Sequence, residues 1–315
     1  MSKAIIAELH SRFEAIGRST ALCSTSRLEE VSRELTARYV AGEIASEIFQ
    51  RYFAGFSYSP PATLPDANSL LLVAAPIGRS EIELDLELGP FVATIPPTYG
   101  AEEKIKEDET LLASFFNERR IAYARAWLPL KALAARAGLA RYGRDNVLKF
   151  EGAGSFVRLD AWWTELEAEG EYWGEPRVLE RCASCGACAK ACPNDCFLGG
   201  RFLMDASKCL TFMNEGQTPF PSWVGHECHN AAVGCLLCQD ACPENRDVPG
   251  RSVYRRFVLD RSASELLMAG RPLAELPASA AAAVRAAEMV GCEGRLARNL
   301  RALIEAKIVS SSPLA

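Results

Sequence analysis

The chain has 315 residues, 49% of them apolar and 24% charged, with a net charge of −5. That length allows a real hydrophobic core in one large domain or in two to three smaller ones. The acidic balance argues against a broad nucleic-acid surface, which needs clustered Lys and Arg. The longest uninterrupted apolar run, around residues 70–76, is too short to cross a bilayer.

The N-terminal stretch MSKAIIAELHSRFEAIG carries Glu8, His10, Arg12 and Glu14 at helical spacing, so it lacks the uncharged core of an export signal. A cytoplasmic protein is the expectation. Residues 1–50 read as helical, because RLEEVSRELTARYVAGEIASEIFQRYF (27–53) places apolar residues three and four apart after the potential caps of STSR. GFSYSPPATLPDAN (55–68) reads as a loop. SLLLVAAPI (69–77) is a continuous apolar run suited to a buried strand, and IELDLEL (82–88) alternates like a second one. GAEEKIKEDETLLASFFNERR (100–120) reads as an amphipathic helix. LPLKALAARAGLA (128–140) reads as another, ended by Gly138, and GSFVRLDAWW (154–163) as a further strand.

This mixture predicts an α+β protein with an α/β domain over 1–175, a cysteine-rich module over 176–250 and a short helical segment over 251–315. The last segment puts Leu296, Leu300, Leu303, Ile304 and Ile308 on one stripe. Its basic stretch RLARNLRALIEAK (295–307) reads as a solvated helix face. GAGSFV lacks the third glycine of a dinucleotide fingerprint and reads as a plain turn.

Ten of the twelve cysteines lie between Cys182 and Cys242, leaving only Cys23 and Cys292 outside. With no export signal, metal or cluster ligation is preferred over disulfides. RCASCGACAKACPND (181–195) holds a complete C-x2-C-x2-C-x3-C-P motif, formed by Cys182, Cys185, Cys188, Cys192 and Pro193. This spacing wraps three thiolates around one 4Fe-4S cubane and sends the fourth to a second cluster. Gly186, between the second and third of these cysteines, lets the backbone come close. AVGCLLCQDACPEN (232–245) ends the same way with Cys235, Cys238, Cys242 and Pro243, but Ala232 stands where the first cysteine belongs.

Two such motifs exchange their fourth cysteines. Cys182, Cys185 and Cys188 would be completed by Cys242, while Cys192 would join Cys235 and Cys238. One ligand of the second cluster is then missing. Cys196 is only four residues past Cys192, in a segment expected to leave its cluster through a helical turn. Cys228 could loop back, and Cys209 follows a predicted hairpin, FLGGRFLMD (197–205). Spacing does not decide between Cys209 and Cys228. Zinc could take CxxC pairs with His226 or His229 assisting, but it seldom uses three cysteines at successive x2 spacing before x3-C-P. Two clusters are therefore preferred, and the two histidines read as surface or hydrogen-bonding residues.

The stretch from about Pro129 to Asn245 resembles the epoxyqueuosine reductase family, cobalamin-dependent enzymes with two 4Fe-4S clusters that are related to reductive dehalogenases. The matching pieces are KALAARAGLARYGRDN (131–146), GSFVRLDAWWTEL (154–166), ERCASCGACAKACP (180–193), DASKCLTF (205–212) and NAAVGCLLCQDACPEN (230–245), with weaker similarity back to LPDANSLLLVAAP (64–76). The resemblance implies that Cys209 completes the second cluster. It also implies cobalamin in the N-terminal domain, bound without a protein histidine below cobalt. Tyr123, Arg125, Lys131 and Tyr142 become candidate donors near the cofactor's upper face, and Lys131, Tyr142 and Arg144 candidate cofactor contacts.

Two departures stand out. Ala124 occupies the place of the family's proposed proton-donating aspartate, and the C-terminal helical region that helps hold tRNA is short. Both weigh against tRNA. The implied partners are a low-potential electron donor such as ferredoxin or flavodoxin and a small-molecule or modified-nucleoside substrate, with no membrane. The competing reading is an electron-transfer protein that reduces a partner, such as a corrinoid protein, without substrate chemistry of its own. A zinc-stabilised interaction module is the third.

Overall fold

The structure is a computed structural model that describes residues 2–168, 170–197 and 204–311. The chain begins with helix α1 (Ser2–Ala15), strand β1 (Ser19–Ser24), helices α2 (Leu28–Val40) and α3 (Ser46–Tyr52), and strands β2 (Ser69–Pro76), β3 (Arg79–Leu86) and β4 (Gly89–Ile95). Helix α4 (Glu102–Arg119), strand β5 (Tyr123–Arg125), helix α5 (Leu130–Arg136) and strands β6 (Arg141–Tyr142), β7 (Leu148–Lys149) and β8 (Val157–Thr164) follow. The cysteine segment carries short helices α6 (Cys182–Cys185), α7 (Ala187–Ala191), α8 (Leu210–Asn214) and α9 (Leu237–Asp240). Strand β9 (Val253–Leu259) and helices α10 (Arg261–Met268), α11 (Ala278–Ala286) and α12 (Glu293–Ser311) complete it. These fall into two compact units, 1–76 with 102–185, and 77–101 with 186–315. The divisions lie at Pro76, Ala101 and Cys185, so the cysteine segment from Gly186 onward and the C-terminal helices belong to one unit, while Cys182 and Cys185 end the other.

The first unit is built on a four-stranded sheet, β1-β2-β8-β5, in which every neighbouring pair is antiparallel. Helices cover both faces, as the α/β reading expects, but a wholly antiparallel sheet makes this unit α+β. Ile6, Leu9 and Phe13 of α1 and Leu112, Phe115 and Phe116 of α4 pack with Leu22, Leu71, Val73 and Trp162 on one face. Leu28 and Val31 of α2 and Leu133 of α5 pack with Ala21, Cys23, Leu70, Leu72, Ala161 and Trp163 on the other. Coverage on both faces explains why β2 is an unbroken apolar run.

A buried ion pair, Arg18 Nε to Asp108 Oδ1 at 2.9 Å, ties the turn before β1 to α4. The expected helix over 1–50 is interrupted by β1, whose sequence STALCS has little strand character until it pairs with β2. The predicted helix over 27–53 is likewise split, with α2 and α3 separated at 41–45.

The second unit has a three-stranded sheet, β4-β3-β9, with β3 and β4 antiparallel and β3 and β9 parallel. Alternation in β3 buries Ile82 and Leu84 against Ala263, Leu267, Val284, Leu296 and Leu300 of the C-terminal helices. Glu81 and Glu83 point the other way and pair with Arg256 of β9 at 2.7 and 3.2 Å. The segment after Ser252, expected to be helical, therefore starts as a strand. Its pattern hides this, because only Phe257 and Leu259 of β9 are buried. On α12, Leu296, Leu300 and Leu303 are buried as expected, while Ile308 is exposed. Most of the hairpin expected at 197–205 lies outside the described residues.

Candidate metal centre

Cys192, Cys209, Cys235 and Cys238 all lie in the second unit. Helix α7 ends at Cys192, which caps it with extended backbone. Cys209 stands between a short turn, 206–208, and α8, and helix α9, which contains Cys238, packs against α7. No two of the twelve cysteines are joined in a disulfide.

Asparagine side chains hold the loops between these thiols. Asn194 donates to Lys208 O at 2.9 Å and accepts from the Cys228 thiol at 2.7 Å. Asn230 donates to Cys228 O at 2.7 Å and to Cys235 Sγ at 3.1 Å, and it accepts from Leu236 N at 2.8 Å. An amide donor on a thiolate is the usual second layer of an iron–sulfur site. Burial and then the neighbouring Cys209 push the Cys235 thiol up to about 11. The Cys196 thiol, buried between Cys192 and Cys209, holds both of their sulfurs below the ordinary thiol range through hydrogen bonds. Its own proton is held correspondingly tightly.

Ala232 explains the broken second motif. It is fully buried in the core of the second unit beside Ile82, Ala93 and Val284, and its N–H donates to Thr94 O at 2.8 Å. At the ligand position of the spacing, the chain is used for packing. Gly234 has φ 62°, and a side chain there would meet the Tyr99 ring at 2.9 Å. Helix α12 closes over the same loops. Asn299 donates to Asn214 O and Ala232 O at 3.0 and 3.1 Å, while Arg298 donates to Met213 O at 2.9 Å and lies over the Phe220 ring.

Cys182 and Cys185 lie on α6 at the end of the first unit, and Cys188 and Cys242 in the second. Gly186, with φ 64°, makes the left-handed turn between α6 and α7. The histidines have other uses. His10 bonds to Thr20 Oγ1 at 2.5 Å, and His229 meets the Phe220 ring edge-on. Among the described residues, no three His, Cys, Asp or Glu side chains gather as one metal ion would require.

The five candidate residues of the first unit fall into two groups. Tyr123 lies on β5 against Phe116, and Arg125 pairs with Asp160 at 2.5 Å and Glu109 at 3.3 Å. Ala124 between them packs toward the opposite face of the sheet. Lys131 donates to Asn146 O at 3.2 Å, so it reaches the turn that carries the exposed Arg144. Tyr142 is buried instead, with its hydroxyl pushed well above the ordinary range by burial and by the Glu34 charge.

Sequence reasoning passed over Asp108 and Asp160. Both are buried carboxyls raised by desolvation, Asp108 to about 6, and no local pattern marks either one. It also passed over Asn194, Asn230 and Asn299, whose roles depend on contacts distant in sequence.

Residues 181–245 match the family model for a 4Fe-4S double cluster binding domain, which supports two clusters in this chain. The epoxyqueuosine reductase of Cyclobacterium marinum is 32% identical over 114 residues, 36% of each chain. That of Gloeobacter violaceus is 34% identical over 117 residues, 36% of this chain and 35% of its own. The matched stretch thus spans about a third of these relatives' length. Among solved structures, an epoxyqueuosine reductase with a tRNA-Tyr epoxyqueuosine-modified stem loop superposes with a TM-score of 0.65 at 19% identity, over 97% of this chain and 82% of that one. The Bacillus subtilis enzyme, with an aspartate catalytic loop swung out of its active site, gives 0.65 at 17% identity over the same shares. By sequence over about a third of its length and by fold over nearly its whole length, the chain resembles the epoxyqueuosine reductase family.

Proposed function

We propose that this protein is an iron–sulfur oxidoreductase. It carries electrons from a low-potential donor, such as a ferredoxin or flavodoxin, through two 4Fe-4S clusters to a small-molecule or modified-nucleoside substrate. The observation that carries this reading is the double-cluster match over 181–245, a segment in which Asn230 donates to the Cys235 sulfur. Cys182, Cys185, Cys188 and Cys242 are assigned to one cluster, and Cys192, Cys209, Cys235 and Cys238 to the other. The choice of Cys209 over Cys228 is supported by the Cys228 thiol, which is buried and already given to Asn194.

Cobalamin enters by analogy with the relatives. Lys131 of α5, which reaches across to Asn146 O, and the exposed Arg144 on that turn are the side chains assigned to meet its polar groups, while Tyr142 beside them is buried. When bound, the corrinoid supplies reductive chemistry at its cobalt. The residues of this chain bind, orient and supply charge. Asp160, paired with Arg125 and kept above the usual carboxylate range by burial, is an acidic group beside the candidate donor Arg125.

The competing reading is an electron carrier without substrate chemistry, and Ala124 favours it. In the Bacillus subtilis relative an aspartate loop is the catalytic one, whereas this position offers no proton. The net charge of −5 further weighs against tRNA as substrate.

Anaerobic purification followed by iron, zinc and cobalt analysis tests these assignments. Two cubanes require about eight irons per chain. Cobalamin uptake by the iron-loaded protein supports the reductase, and iron without cobalamin uptake supports the carrier. Zinc with no iron would sink both.

A further inference from the structure

One assigned ligand, Cys235, has a side-chain amide aimed at its sulfur. Asn230 Nδ2 lies 3.1 Å from Cys235 Sγ and 2.7 Å from Cys228 O, while its Oδ1 accepts from Leu236 N at 2.8 Å. These partners fix which way the amide faces. Leu236 N can only donate and Cys228 O can only accept, so a flipped amide would set donor against donor and acceptor against acceptor. One amide hydrogen goes to the carbonyl and the other to the sulfur. The stretch that follows Asn230 is held along its length. Ala231, Ala232 and Val233 are at most 2% exposed, and Ala232 N donates to Thr94 O at 2.8 Å. Asn299 donates to Ala232 O at 3.1 Å and Asn214 to Gly234 O at 2.7 Å. The donor is therefore in place before any electron arrives, and needs no rearrangement to meet the charge.

We propose that Asn230 is a positioning residue of the second cluster, which raises that cluster's reduction potential through its bond to the Cys235 sulfur. This rests on the double-cluster reading, which the thiol donor set fits, and on Cys235 as a ligand. The physical reason is charge. Reduction adds one electron from the low-potential donor, and part of the added charge spreads onto the ligand sulfurs. Hydrogen bonds to those sulfurs stabilise the more negative state more strongly. A merely structural Asn230 would act through Leu236 N and Cys228 O alone and leave the potential where it is.

The test compares Asn230→Ala and Asn230→Asp with the unaltered full-length protein, all reconstituted anaerobically. Iron content, EPR spectra and the midpoint potential of each cluster are measured. Asn230→Ala removes every bond of the amide. Asn230→Asp keeps an oxygen for Leu236 N but withdraws the donor and adds a negative charge. Asn230→Ala is expected to keep about eight irons per chain while one cluster, and only one, becomes harder to reduce. The loss of one donor corresponds to roughly tenfold in that reduction equilibrium, about 59 mV for one electron. Asn230→Asp should lower the same potential at least as far. Either variant that keeps its irons decides. Wild-type potentials in an iron-loaded variant would overturn the proposal, and so would loss of about four irons from both variants, which would make Asn230 a tie for assembly only. Absence of two clusters from the unaltered protein would instead overturn the reading on which the proposal stands.

Discussion

The sheet of the first unit and the cysteine segment of the second hold themselves together by opposite means. Strands β2 and β8 form an eight-residue antiparallel ladder with apolar helices on both faces, and Leu70, Leu71, Leu72 and Trp162 are almost completely buried. Residues 186–251 have only short helical turns and no strand among the described residues. Their loops are tied by Asn194, Asn230 and Asn299 and by the buried thiols. The first region obtains its stability from area removed from water, which any set of well-packed apolar side chains supplies. The second depends on particular polar contacts and on ligands, as small metal-bound modules do.

Cluster removal separates the two regions most sharply. Stripping the iron under oxidising conditions is expected to strip amide protection from residues 204–251, while β2 and β8 retain theirs. Hydrogen exchange followed by mass spectrometry reads both regions in one sample. Equal loss in the two would show that the first sheet also depends on the metal. Leu71→Ala is the converse experiment. It removes a fully buried side chain from the first core and is expected to cost about 3 kcal/mol in denaturant unfolding of that unit. The EPR signals of the clusters should be unchanged.

The smallest effect belongs to Asn299→Ala. The change leaves two buried carbonyls, of Asn214 and Ala232, without their amide donor, at a cost of about 2 kcal/mol. It should quicken exchange in the cysteine segment without reaching β2. Wild-type exchange there would remove α12 from the account of how these loops are held.

The same contrast governs what was legible in the sequence. β2, β3, α4 and β8 announce themselves, because a doubly covered strand is continuously apolar and a half-covered one alternates. β1 and β9 do not, since their strand character comes from pairing with β2 and β3. In the cysteine segment the ligand spacing was plain, since a cubane demands it. The reason for Ala232 was not, because its packing against Ile82 and Val284 joins residues far apart in the chain. Nor could spacing distinguish the roles of Cys196, Cys209 and Cys228. The Cys228 thiol is given to Asn194, a contact that spacing does not show. Among the candidates in the first unit, the burial of Tyr142 set against the exposure of Arg144 two residues later was equally hidden.

The central claim is that the ligand displaced from Ala232 is Cys209, and that it completes the second of two clusters. Cys209→Ala and Cys228→Ala, reconstituted anaerobically and measured for iron and by EPR, test it most directly. The account predicts that Cys209→Ala falls to about four irons and loses one cluster signal, while Cys228→Ala keeps about eight irons and both signals. Iron lost from Cys228→Ala and retained by Cys209→Ala would contradict it.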